Sequence, residues 1–134
     1  MTTEKAKNQR AFFLNLLGGN ESDLVEAGQA IVEIGQPGGK AYMIKSGTAR
    51  IDLFAGEHVI DLEPGDWIGL MGSIDGRPYS NRTVAVTDCE LVPIDRKRAE
   101  YLFREHPSFA FKIIQTMIDR FYVIQELAKQ SICK

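Results

Sequence analysis

Between about residues 22 and 96 glycine recurs at short intervals, at positions 28, 35, 38, 39, 47, 56, 65, 69, 72 and 76. A helix of ordinary length does not fit between such breaks, and the segments they separate are rich in β-branched residues. Several short strands with turns at near-regular spacing describe a β-sandwich or barrel.

The strands can be read one by one. Ala41–Lys45 and Thr48–Phe54 are joined by Ser46-Gly47, and the second alternates from Ile51 onward. His58–Leu62 follows, closed by the turn Glu63-Pro64-Gly65-Asp66. Arg82–Val86 and Glu90–Ile94 read as a last pair, linked by Thr87-Asp88-Cys89.

The period then changes. Asp95 suits the N-cap of a helix from Arg96 to Glu105, ended by His106-Pro107. Ser108 suits the cap of a second helix running to about Gln130. Ala110, Ile114, Met117, Phe121, Ile124 and Ala128 follow one another in steps of four and three, which draws one apolar stripe. Ile113, Ile118 and Tyr122 widen it. That surface exceeds what a small barrel covers, so the expectation is a homodimer through Ile114, Met117, Phe121 and Ile124. The plainer alternative is a helix that covers only its own barrel. At the other end, residues 1–10 read as a mobile tail, and Ala11–Leu17 as a short helical turn stopped by Gly18-Gly19. This gives a single domain over 11–134, with a barrel at about 24–95 and C-terminal helices at about 96–130.

Charge and side-chain chemistry exclude several functions. With a net charge of −2 over 134 residues there is no basic field to hold DNA or an anionic membrane. No apolar run approaches the ~20 residues needed to cross a bilayer, and the polar start Met1-Thr2-Thr3-Glu4-Lys5 lacks a signal-peptide core. The expected location is the cytoplasm. Cys89, Cys133, His58 and His106 are isolated, whereas metal, haem and iron–sulfur sites need clustered ligands, so no metal or cofactor is expected. Cys89 reads as a small buried hydrophobe and Cys133 as part of a frayed end. No nucleophile stands beside a histidine, so no catalytic residue is nominated. Cupin enzymes need a His-rich metal shell that two isolated histidines do not supply.

The stretch Gly65–Val84 carries the most chemistry. It reads as a strand, a glycine turn, one short helical turn, a loop and a second strand, and exposed backbone N–H groups in such a turn cradle an anion. Together with Gly35–Ala49, a turn, strand and turn that precede it, this stretch resembles cyclic-nucleotide-binding domains of the catabolite-activator (Crp/Fnr-like) type. The resemblance covers roughly residues 24–130. It implies a mainly β fold, a jelly-roll barrel (double-stranded β-helix) with a short N-terminal helix and a C-terminal helix pair. It also implies a non-enzymatic regulatory domain that binds a small-molecule ligand in signal transduction.

In that family an arginine just after the proline pairs with the cyclic phosphate, and a glutamate just after the second glycine accepts the ribose hydroxyl. Here those positions are Tyr79 and Leu70. Leu70 cannot accept a hydrogen bond and Tyr79 cannot neutralise a phosphate. Each lost charged contact is worth roughly 1.5–3 kcal/mol. The expected ligand-binding set is Gly69, Leu70, Met71, Gly72, Tyr79, Ser80, Asn81 and Arg82, with Arg77 nearby. Arg82, which shares strand parity with Ser80, and Arg77 are the candidate replacement cations, the alternative being a solvated strand end and loop. Trp67 reads as a core residue before it reads as a base-stacking one, and Tyr79 as a ring that stacks on a ligand or plugs the pocket.

Two functional readings follow. One is a sensor that binds a cyclic nucleotide or another anion unconventionally. The other is a degenerate domain, without nucleotide binding, that serves as a dimerisation or protein-interaction module for an unidentified protein partner. Relatives often continue into a helix-turn-helix. This sequence ends at Lys134, just after the long helix, so direct DNA binding is not expected.

Overall fold

The structure is a computed structural model that describes residues 4–132; Cys133 lies outside them. A first helix, α1 (Glu4–Leu17), leads into eight strands: β1 (Asp23–Val25), β2 (Ala30–Val32), β3 (Lys40–Ser46), β4 (Ala49–Leu53), β5 (His58–Leu62), β6 (Trp67–Ile68), β7 (Thr83–Ala85) and β8 (Cys89–Asp95). A short helix, α2 (Leu70–Asp75), interrupts them between β6 and β7, and α3 (Arg96–Glu105) and α4 (Pro107–Ile132) close the chain. The strands form two antiparallel four-stranded sheets, ordered β1-β8-β3-β6 and β2-β7-β4-β5.

The first sheet is covered on both faces, and its side chains divide by parity. Ala41 and Met43 of β3, with Val92 and Ile94 of β8, join a core under the helices. Ile44, Cys89 and Leu91 face the barrel interior with Ile51, Leu53 and Leu62 of the second sheet. In β4, Ala49, Ile51 and Leu53 are buried while Arg50 and Asp52 alternate outward, the pattern of a sheet wet on one face. Trp67 belongs to the helix-side core, with its ring edge-on to Phe13 and Phe109 at 5.4 and 6.0 Å.

Several elements differ from the sequence reading. β7 and β8 are not a hairpin: they lie in opposite sheets, and Thr87-Asp88 carries the chain across. That crossing is tied to the one between β3 and β4, after Gly47, by Val86 N–H donating to Thr48 O at 2.9 Å and Thr48 N–H donating to Thr87 Oγ1 at 3.0 Å. α1 begins at Glu4, not at Ala11, and packs on α4. α4 begins at Pro107, a proline-favoured first position, so Ser108 lies inside the first turn and does not cap it. Asp95 caps α3 as its position indicated, accepting from Arg98 N at 2.8 Å.

The apolar surface of α4 also divides differently. Met117 packs on the helix-side core and Ile124 on the barrel core, so both serve their own chain. The large apolar residues left facing outward are Phe111, Ile114, Ile118, Phe121 and Tyr122, with Ile132 at the end of the helix. No helix among the described residues is long and apolar enough to cross a membrane.

Candidate functional site

β6 is only two residues long, held to β3 through the pairs Trp67–Met43 and Ile68–Tyr42. Gly69 then turns the chain with φ 75°, a left-handed conformation that costs glycine little. α2 follows, with Ser73 N–H closing on Gly69 O at 3.2 Å and Ser73 Oγ donating to Leu70 O at 2.9 Å. This is the strand, glycine turn and helical turn that the sequence indicated.

Tyr79 fills the concave side of that turn. A Cβ added at Gly69 would lie 2.8 Å from Tyr79 Cε1, and one at Gly72 would lie 3.3 Å from the same atom. The ring therefore rests on the bare backbone of the two glycines. Its hydroxyl donates to Lys40 O at 2.7 Å. Its own backbone is held as well: Tyr79 N–H donates to Gln36 O at 3.0 Å, and Gly35 N–H donates to Tyr79 O at 2.9 Å. Burial raises the pKa of the Tyr79 phenol, the nearby Tyr42 adds to the rise, and the positive charge of Lys40 opposes it. Tyr42 is raised in turn, by burial first and then by Asp23.

The other candidate residues are spread around this centre. Leu70 is 8% exposed and belongs to the helix-side core with Met43, Trp67 and Leu102, whereas Tyr79 packs against the barrel core. Met71 is exposed. Asn81 Nδ2 donates to Ser80 Oγ at 3.3 Å. Arg82 is held by two carboxylates, Nε to Glu33 Oε1 at 3.0 Å and Nη1 to Asp52 Oδ2 at 3.9 Å. Arg77 is an exposed partner of Asp75. The structure thus brings Gly69, Gly72 and Tyr79 together and places Leu70, Met71 and Arg82 elsewhere.

Three contributors were not singled out from sequence: the Lys40 carbonyl, Tyr42 and Gly38. A Cβ on Gly38 would collide with Arg77 O and lie 2.9 Å from Gly72 Cα, so the 35–39 loop docks backbone to backbone on the segment 65–84, the cassette of strand, glycine turn, helical turn and loop. The Gly38-Gly39 pair signalled a turn, but its docking partner is 34 residues away (72 − 38), beyond the reach of local pattern.

Comparison with known proteins agrees with this architecture. The sequence model of the family described as cyclic nucleotide-binding domain matches residues 23–106. A cyclic nucleotide-gated potassium channel of Mesorhizobium japonicum is 28% identical over 96 residues, which is 72% of this chain and 26% of the channel. The chain thus spans about a quarter of that relative. Among solved structures, the catabolite activator protein of Thermus thermophilus superposes with a TM-score of 0.70 at 25% identity, covering 98% of this chain and 61% of that one. A PKAR CBD2 structure with Sp-2Cl-cAMPS bound gives a TM-score of 0.69 at 19% identity, covering 94% of this chain and 95% of that one.

Proposed function

This chain belongs to the cyclic nucleotide-binding domain family, and from that premise we propose that it is a non-enzymatic sensor whose cradle is latched by Tyr79. The observation that carries this reading is the Tyr79 ring lying on Gly69 and Gly72, where the family places its phosphate-binding arginine, with the hydroxyl bonded to Lys40 O at 2.7 Å. A ligand enters by displacing that ring. Displacement breaks one hydrogen bond, a net loss of roughly 0.5–1.5 kcal/mol, and frees the backbone around the two glycines. The phosphate then meets amides and the Ser80 and Asn81 side chains, with no guanidinium. Arg82 takes part only if it leaves Glu33 and Asp52. Affinity is therefore weak by the standard of a cassette that carries both charged arms.

Transmission has a physical route. Tyr79, Ile124 and Leu127 all pack against the barrel core, and the route we propose is a shift of that shared core when the ring moves. Coupling requires that the ligand prefer one arrangement of α4 over the other.

Thermal melting of the purified protein with millimolar cyclic AMP, cyclic GMP and cyclic di-GMP tests the ligand. Binding to the folded state raises the midpoint by mass action. An unchanged midpoint with all three leaves the second reading, an interaction module without nucleotide. The outward stripe Phe111, Ile114, Ile118, Phe121 and Tyr122 favours that second reading, with a homodimer through α4 as its simplest form.

A further inference from the structure

A groove of about 310 Å³ lies between α1, the corner joining β5 to β6, and α4, and none of residues 69–82 lines it. Its polar wall is made by Gln9, Arg10, Asp66, Thr116 and Arg120. Phe13, Ile60 and Val123 supply an apolar side.

Among the described residues, the side-chain atom of this groove that is buried without a partner is a donor. Gln9 is 6% exposed, and its Oε1 accepts from Thr116 Oγ1 at 3.4 Å while its Nε2 is buried without a partner. Native structures leave few such groups. Arg10 Nη2 stands 3.6 Å from Glu63 Oε2, an ion pair longer than an N–H···O hydrogen bond. Arg120 donates Nη1 to Trp67 O at 2.8 Å, one use of a guanidinium that carries five N–H groups.

The surrounding acids are already committed. Asp61 pairs with Arg50 at 2.7 Å and Asp119 with Lys5 at 3.6 Å. Asp66 Oδ2 accepts from Glu63 N at 2.8 Å. Burial raises the pKa of the Asp66 carboxyl, while that backbone bond, Arg120 and Arg10 pull it down. Glu63, more than half exposed, pairs with Arg10, so an anion at Arg10 competes with it.

We propose that this groove binds a small oxyanion, a carboxylate or a phosphate group, held by Gln9, Arg10 and Arg120. Two guanidinium groups with N–H donors to offer give charge-assisted, bidentate recognition of such a group. The volume is at the lower end of ligand pockets, which suits an anion on a short carbon body lying against Phe13 and Val123. The site is separate from the cassette, and its occupancy does not depend on nucleotide binding.

The test is a ¹H–¹⁵N NMR titration of the whole chain with sodium phosphate and, separately, sodium propionate, each against sodium chloride at equal ionic strength. Saturable shifts of the Gln9 side-chain amide and of the Arg10 and Thr116 backbone, with residues 69–82 unmoved, are expected. Which salt produces them identifies phosphate or carboxylate. Shifts no larger than those in chloride overturn the proposal. Arg10→Gln and Gln9→Leu are each expected to weaken the response by roughly tenfold, the loss of about 1.4 kcal/mol. A folded variant, by circular dichroism, that keeps the wild-type titration also overturns it. If neither variant folds, the wild-type titration alone decides. Arg120 is left intact because it also holds the Trp67 carbonyl.

Discussion

The Tyr79 hydroxyl donates a 2.7 Å hydrogen bond to the Lys40 carbonyl, across Gly69. One side chain thereby joins the loop after α2 to the first residue of β3 and occupies the concave face of the glycine turn. On the reading proposed above, Tyr79 takes the place of the family's cation and offers a phenol and a ring instead of a charge.

Restoring the cation is the direct experiment. Tyr79→Arg removes the latch and supplies a guanidinium, and is expected to raise cyclic AMP affinity by about one to two decades, the equivalent of one charged contact. Isothermal titration against the wild type reads this. An affinity no better than wild type means that the ring is not what keeps the ligand out. Leu70→Glu is not a matching repair. Leu70 is packed with Met43 and Trp67 under the helices, so a carboxylate there is expected to cost more than the roughly 2–5 kcal/mol of a core truncation.

The same phenol gives the protein an alkaline limit. The folded pKa of Tyr79 is raised, chiefly by burial, so the folded state holds its proton at pH values where the unfolded chain releases it. The stability linked to Tyr79 is therefore fully present below about pH 10, the ordinary phenol value. It is lost as pH rises above that. Urea unfolding between about pH 8 and pH 11 is expected to show a decline that is smaller in Tyr79→Phe. An identical decline in both proteins assigns it to Tyr42 or to general charge.

What could be read in advance follows how far each signal reaches. His58–Leu62 and Arg96–Glu105 match β5 and α3 because alternation and capping are local properties. β1, β2 and β6 have three, three and two residues. They owe their strand character to pairing with β8, β7 and β3, which no local pattern contains. The glycine turn and helical turn of the cassette were legible from Gly69 and Gly72. The placing of Arg82 between Glu33 and Asp52 was not, since those carboxylates are 49 and 30 positions away (82 − 33 and 82 − 52). On α4, the periodicity located an apolar stripe but not which part of it faces inward.

That division of α4 sets up a paired prediction. Ile114, Ile118 and Phe121 face outward in steps of four and three, the spacing of a two-helix seam. If the chain dimerises through α4, Ile118→Glu is expected to halve the mass measured by light scattering while leaving the thermal midpoint of the monomer fold nearly unchanged. Met117→Glu is expected to lower the midpoint instead, because Met117 lies against the core containing Phe109 and Ile113. Unchanged mass in Ile118→Glu removes the dimer.

The docking of the 35–39 loop gives a sharper structural test, because its key residue is a glycine for reasons of space. The backbone of Gly38 approaches Arg77 O and Gly72, and a Cβ would lie 2.9 Å from both Gly72 Cα and Gly72 O. Those are backbone atoms and cannot rotate away, so Gly38→Ala must push the loop off the cassette or strain both. A loss of about 1–3 kcal/mol is expected, the range of an overpacked site. Gly19→Ala is the control, since nothing lies within 4 Å of its added Cβ. Tyr79 depends on the same loop through its bonds to Gln36 O and Gly35 N. Gly38→Ala is therefore expected to loosen the latch as well, seen as faster hydrogen exchange at the Tyr79 and Gly35 amides. Equal exchange in the alanine variant and the wild type separates the latch from the loop and leaves the ring held by Lys40 alone.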